Sequence, residues 1–321
     1  MSTSAGLLVA VLAAVSFGTS GAFIKPLLEA GWSPTAAVTA RALIGAVVLM
    51  PFALVSLRGR WAALWRARRR VLVMATVGVA ATQLTYFAAI QTIPVSTALL
   101  IELLAPLLLV AVAWATTKRM PRPLVFVGSA LAVGGLVLVI GPGAVQAVDP
   151  IGLLFAALAM VSCAVFFVMA ARPSDGLPPV AFAASGLVLG GLLLGLLGST
   201  GLLPFTATFT DVPLFGTKLP WWVPLLIVAV VATSLAYAAG ITAAAALGSR
   251  LASFAALLEV VFASLFAWLL LGENLTPLQL LGGALILGGI AAVRAEGSDP
   301  VTDAGQIVPT RRDQQEYSAA N

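Results

Sequence analysis

The chain has 321 residues, of which 61% are hydrophobic and only 9% charged, and its mean hydropathy is +1.08. A surface facing water needs roughly 25% charged residues, so a soluble enzyme, a secreted disulfide scaffold and a disordered chain are excluded. Long continuous apolar runs, without the alternation of barrel strands, also exclude a transmembrane β-barrel and leave an all-α polytopic membrane protein. Lys and Arg number 17 against 12 Asp and Glu, a net charge of +5. Basic residues of a membrane protein collect in its cytoplasmic loops, so no nucleic-acid partner is expected. With no histidine and the single cysteine Cys163, neither an intrachain disulfide nor a Cys/His metal site can be built. No metal or other cofactor is expected. Met1 to Gly6 carries no Lys or Arg, so the first apolar run reads as a retained helix, not a signal peptide.

A span needs about 20 apolar residues, and ten runs qualify. They lie near 5–24, 35–57, 71–91, 95–116, 123–140, 151–171, 179–198, 221–243, 251–271 and 276–293. Breakers mark most connections: Gly31 to Pro34, Ile93–Pro94, Gly141 to Pro150, Pro173 to Pro179 and Leu275 to Pro277. Arg58, Arg60, Arg66, Arg68, Arg69 and Arg70 follow span two. Lys118, Arg119 and Arg122 follow span four, Arg172 span six and Arg250 span eight, with Arg294, Arg311 and Arg312 after span ten. Only Lys25 and Lys218 fall on the other side. The positive-inside rule then places both termini in the cytoplasm of a multi-pass protein of the cell (inner) membrane. Trp61 and Trp65 beside the arginines, and Trp221 and Trp222 at the start of span eight, read as interfacial anchors. The Arg66 to Arg70 cluster can also meet anionic lipid. Residues 199–220 form the longest outer loop, and the polar segment 295–321 is expected to be a disordered cytoplasmic tail.

The chain repeats itself. Gly6 to Ser16 matches Gly152 to Ser162 at eight of eleven positions, and Pro123 to Gly135 matches Pro277 to Gly289 at seven of thirteen. Trp114 falls on Trp268 in that second register. The unit is therefore five spans, one in residues 1–145 and one in 146–294. Five is odd, so the second unit enters the membrane from the opposite face. Secondary transporters use such inverted repeats to open a midplane site to either side in turn.

These features resemble the EamA-type transporters of the drug/metabolite transporter superfamily. The resemblance rests on two five-span units, each with a fourth span running into a Pro-led, Gly-Gly fifth span. It also rests on Ala267-Trp-Leu-Leu-Leu-Gly-Glu273 just before Leu278-Gln-Leu-Leu-Gly-Gly283. It covers about residues 5–294. It implies ten helices, cytoplasmic termini, and export of small metabolites or drugs with proton antiport as the coupling. The first unit departs from the pattern, with Lys118 and Arg119 where the second has Gly272 and Glu273.

Ionised groups cost at least about 2.5–3.5 kcal/mol at the bilayer centre, so intramembrane charges are the first site candidates. Three fall within spans: Arg41, Glu102 and Glu259. Glu102 lies about 12 Å into span four and Arg41 about 9 Å into span two from the same outer face, at 1.5 Å per residue. They are read either as a buried ion pair or as ligands of a substrate or proton. Glu259 enters from the cytoplasmic side, one helical turn from the symmetry position of Glu102, and span nine offers it no cationic partner. Glu102, Glu259 or both are candidates to bind a proton reversibly. Spans three and eight carry the polar stripes Thr82, Gln83, Tyr86 and Thr233, Ser234, Tyr237, at spacings that share a helix face. Span one adds Ser16, Thr19 and Ser20. These suit either a polar small molecule or interhelical bonding. The pairs Gly134–Gly135, Gly190–Gly191, Gly282–Gly283 and Gly288–Gly289 permit close helix packing, and could also support a homodimer.

The expected function is a secondary transporter, exporting amino acids, related metabolites or small drugs. Its partners are then a small-molecule substrate and membrane lipid. A lipid-carrier flippase or an uncoupled exchanger of the same fold is the alternative. No Gly-x-x-x-x-Gly-Lys-[Ser/Thr] loop occurs to bind ATP. An enzyme is not expected, since no nucleophile–base pair or metal-ligand cluster is available within the membrane.

Overall fold

The computed structural model describes residues 1–90, 92–93, 95–118, 120–121, 123–141, 149–172, 176–214, 216–271 and 276–295. Arg119, Arg122, Gly272, Glu273 and the tail beyond 295 lie outside them. Among the described residues, ten helices are long and apolar enough to span a membrane. They are α1 (Thr3–Glu29), α2 (Pro34–Ser56), α3 (Arg68–Ala89), α4 (Thr97–Thr117) and α5 (Pro123–Ile140). The second five are α6 (Pro150–Ala171), α7 (Pro179–Ser199), α8 (Trp222–Leu247), α9 (Ser249–Leu270) and α10 (Pro277–Ala295). The protein is therefore an all-α membrane protein of ten spans, built as two inverted five-helix repeats.

Local chemistry sets the helix starts. Ser33 caps α2, its hydroxyl accepting from the Ala36 N–H at 3.3 Å, and Pro34 follows at the first helical position. Asp149 caps α6 in the same way ahead of Pro150. Proline suits that position because its missing N–H would have no helical partner there. α10 opens with Thr276 and Gln279 bonding each other's backbone N–H, a reciprocal cap. Between α8 and α9 the chain reverses through Gly248 alone, at φ +79°, a conformation that glycine adopts without a steric penalty.

The packing displays the two-fold directly. α5 and α10 lie against each other through paired glycines. A Cβ at Gly282 would come within 2.6 Å of the Gly135 carbonyl oxygen, and one at Gly289 within 2.6 Å of that of Gly128. The relation is reciprocal, since a Cβ at Gly128 would meet the Gly289 carbonyl at 2.8 Å. A contact in which each side meets the other's equivalent is what a two-fold axis produces. Both ends of the described chain share one face, where Arg294 Nη2 donates to Ser4 Oγ at 3.3 Å.

The first helix of each repeat packs into the other repeat. α1 approaches α8 at Gly6, beside Leu247, and α9 at Gly18, beside Phe262. α6 approaches the end of α3 at Gly152, beside Thr92 and Ile93. The space between the repeats is thus bounded by both.

Four irregularities are invisible in the hydropathy pattern. α3 and α8 each contain a wide π-helical stretch, Met74–Ala81 and Val230–Leu235. A threonine at each reaches the carbonyl five residues back: Thr82 Oγ1 to Val77 O at 3.0 Å, and Thr233 Oγ1 to Val228 O at 3.0 Å. Freed carbonyls in a membrane helix need such a donor. α4 and α9 each tighten in mid-span. In α4, Leu104 N donates to Ile101 O at 3.1 Å and Leu107 N to Leu104 O at 2.9 Å. In α9, Leu257 N donates to Phe254 O at 3.1 Å and Val260 N to Leu257 O at 3.2 Å. Pro106 accounts for the first break, since it has no N–H to offer the Glu102 carbonyl.

The connection between α7 and α8 holds a short antiparallel hairpin, β1 (Val212–Leu214) and β2 (Thr217–Leu219). Its approach segment is latched to the α1–α2 turn. Trp32 Nε1 donates to Thr208 O at 2.5 Å, Ser33 N to Thr206 O at 2.9 Å, and Thr208 Oγ1 to Ala30 O at 2.5 Å. Trp32, Phe209 and Trp221 stack about the latch, with ring centroids 4.9–6.1 Å apart. The corresponding connection of the first repeat carries instead a short helix, Trp61–Arg66.

Candidate functional site

A cavity of about 180 Å³ lies between the repeats. Arg41 from α2, Thr82 and Gln83 from α3, Glu102 from α4, Tyr237 from α8 and Glu259 from α9 line it. All three intramembrane charges therefore meet one chamber. The two acids come from the two tightened helices. Glu102 ends the first half of α4, and Glu259 stands in the first turn after the α9 break. Helices interrupted near mid-membrane are the usual frame for a transported ligand, because the break leaves backbone groups to face a cavity.

Arg41 and Glu102 do not form the ion pair that was one reading of their depths. Among the described residues Arg41 donates from Nη1 to Ser20 Oγ, at 2.9 Å, and Ser20 lines the same cavity. The guanidinium is drawn to α1 rather than to an acid. Glu259 shares the chamber with Arg41.

Three other sequence candidates do not line this cavity, although Tyr86 stands close enough to Glu102 to feel its charge. Ser234 is buried, with its hydroxyl 2.9 Å from Gly45 O of α2 and 2.8 Å from Ala229 O. It ties α8 to α2 at the glycine of closest approach. Tyr86 is not among the lining residues. It sits at the edge of a cluster with Ala89, Ala98 and Ala156, its ring 5.7 Å from that of Phe87. Ser16 is buried at 2% exposure, next to the lining residue Phe17 in sequence and one turn from the lining residues Ala13 and Ser20. Ser234→Ala should lower the melting temperature slightly, by the equivalent of about 0.6 kcal/mol for one interhelical bond, and leave transport unchanged. A thermal melt paired with an uptake assay checks both parts.

The residues that sequence reading missed form an apolar wall. Phe17 meets Tyr237 edge-on at 5.3 Å, Phe166 meets Tyr237 at 5.8 Å, and Phe167 stands beside Phe166 at 5.2 Å. All four rings line the cavity, as does Cys163. One signal could have exposed the wall. The register that pairs Gly6 with Gly152 sets Ser20 opposite Phe166 and Gly21 opposite Phe167. Likewise, aligning Pro34 with Pro179 and Gly45 with Gly190 sets Arg41 opposite Gly186. Ser20 and Arg41 thus face the chamber from α1 and α2, and Phe166 and Phe167 from α6.

The chain matches the model of the EamA-like transporter family twice, over residues 4–141 and 150–295. No curated protein matches it. A solved crystal structure, 20% identical in sequence, superposes with a TM-score of 0.71 over 92% of this chain and 98% of its own, and shows the same fold. The two family matches fall on the two five-helix repeats that enclose the cavity, and together they span nearly all of the described chain. The protein belongs to the EamA-like transporter family and is a multi-pass membrane transporter of the drug/metabolite type.

Proposed function

We propose that the protein exports amino acids, related small metabolites or small drugs across the cell membrane by alternating access, driven by antiport of protons. The observation that carries this reading is the meeting of Arg41, Glu102 and Glu259 on one cavity with an aromatic wall. A cation, two acids and apolar rings together suit a small molecule that carries charge and an apolar side. Neither carboxylate has a hydrogen-bond partner among the described residues, and the charge of Arg41 reaches Glu259 across the cavity. A proton and a cationic group of the substrate can therefore compete for the same carboxylate, and that competition is the elementary requirement of antiport. The positive-inside distribution supports cytoplasmic termini, as does the contact of Arg294, at the end of the last span, with Ser4.

The test is uptake of a labelled amino-acid panel into inside-out vesicles, with and without an imposed pH gradient. Accumulation of at least one compound that collapses when the gradient is dissipated is the expected result. Uptake of the same compounds at equal rates with and without the gradient would replace antiport by facilitated exchange. No uptake of any member would remove amino acids as the substrate class.

A further inference from the structure

A second cavity, of about 650 Å³, opens on the outer surface of the bundle among α2, α3 and α7. The short helix Trp61–Arg66 borders it. Its walls are apolar side chains, notably Leu54, Leu57, Leu72 and Leu189, while Arg68 and Trp65 stand at its mouth. Leu54, Leu72, Leu189 and Trp65 are all exposed, so nothing among the described residues covers the groove. Arg68 is held in place by its neighbour. Its guanidinium lies 4.8 Å from the Trp65 ring centroid, and Nη1 donates to the Trp65 carbonyl at 3.1 Å. An arginine has five N–H donors in a fork that matches phosphate oxygens, so this bond leaves others for a ligand.

The sequence around the mouth is basic. Arg58, Arg60 and Arg69 are exposed in the same stretch of sequence as Arg68, and no Asp or Glu occurs between Glu29 and Glu102. The groove reaches about two thirds of the way through a leaflet of about 15 Å. Lining residues run from Leu57 up α2 to Met50, about 10 Å at 1.5 Å per residue. A charged mouth at the level of interfacial tryptophans, above an apolar slot entering the hydrocarbon, matches one amphiphile.

We propose that this groove binds a single anionic phospholipid, its phosphate on Arg68 and one acyl chain along Leu54, Leu57, Leu72 and Leu189. The basic mouth selects the anionic headgroup, and the apolar slot excludes the free headgroup.

The full-length protein in detergent, titrated with phosphatidylglycerol, phosphatidylcholine of the same chains, or glycerol phosphate, tests this by native mass spectrometry. Phosphatidylglycerol should bind about fivefold tighter than phosphatidylcholine, the weight of one arginine on an anionic lipid, and glycerol phosphate should not bind. Arg68→Gln should remove the preference while leaving phosphatidylcholine binding unchanged. Leu189→Trp, which fills the slot from an exposed position, should weaken both lipids. Equal binding of the two lipids would overturn the proposal, and so would tight binding of glycerol phosphate. An equal loss in Arg58→Gln would reduce the effect to general surface charge. Lipid binding that appears only after removal of residues 296–321 would make the acidic tail the occupant, and binding lost on dimer formation would make it a second copy.

Discussion

Gly282→Leu is expected to abolish stable, monodisperse protein, whereas Gly134→Leu is expected to behave as wild type. The contrast follows from the α5–α10 contact. A Cβ at Gly282 would already stand 2.6 Å from the Gly135 carbonyl oxygen, with Val139 and Leu138 side-chain atoms at 2.8 and 2.9 Å. Backbone cannot swing aside as a flexible side chain can. Overpacking a well-filled contact costs about 1–3 kcal/mol even for added methylenes, and leucine adds a branched chain where no Cβ fits. Between helices in lipid there is no hydrophobic drive to hold α5 and α10 together once this close approach is lost. Gly134 is next to Gly135 in sequence, yet a Cβ there would meet nothing within 4 Å. Gly282→Ala should fall between the two. Size-exclusion profiles and thermal melts of the variants in detergent give the readout. If Gly282→Leu melted with the wild type, the reciprocal glycine contact would not be what joins the repeats.

Glu259→Gln should fold normally and lose gradient-driven accumulation by at least about tenfold, the factor that 1.4 kcal/mol represents. The amide has nearly the shape of the carboxyl, but it neither binds nor releases a proton near neutral pH. The position is tightly built. α1 packs on α9 there, where a Cβ at Gly18 would lie 3.1 Å from the Glu259 carbonyl. A change of size would therefore confuse coupling with packing, and the isosteric change avoids this. Substrate exchange measured without any gradient should persist, because the cavity and its aromatic wall remain. Glu102→Gln, assayed in parallel, tells whether one acid or both carry the proton. A Glu259→Gln protein whose accumulation still tracked the imposed pH gradient would take this residue out of the coupling.

The spans and their inverted pairing were legible because lipid imposes a length of about 20 residues on each helix. The coincident Pro, Trp and Gly positions have physical reasons to recur: Pro123 and Pro277 begin helices, and Gly128, Gly135, Gly282 and Gly289 form the close contact. Arg41, Glu102 and Glu259 stood out because charge is rare in these runs. The polar stripes were harder. Assigning Ser234 to a cavity face assumed a regular period of 3.6 residues. The π-helical stretch Val230–Leu235 breaks that period at this residue. An extra residue per turn rotates later side chains about the axis, and a sequence apolar on all sides does not betray it. The aromatic wall was hidden for a related reason. Phenylalanine is unremarked in an apolar helix, and only its displacement of Ser20 and Gly21 in the repeat register marks Phe166 and Phe167. The hairpin around Gly216 lay in a loop that hydropathy describes only as long.

The unlike connections at the two ends of the bundle bear on energetics as well as shape. Were the halves identical, swapping their conformations would regenerate the same object, and the two access states would be isoenergetic. Here one end is fastened by the Trp32–Thr208 and Ser33–Thr206 bonds under stacked indoles, while its counterpart is a helix flanked by arginines. That degeneracy is lifted before any solute arrives. A bias of only 1.4 kcal/mol leaves roughly ten molecules resting in one state for each in the other. Under the alternating-access reading proposed above, the idle carrier would have a default orientation, set by its loops and not by its cargo.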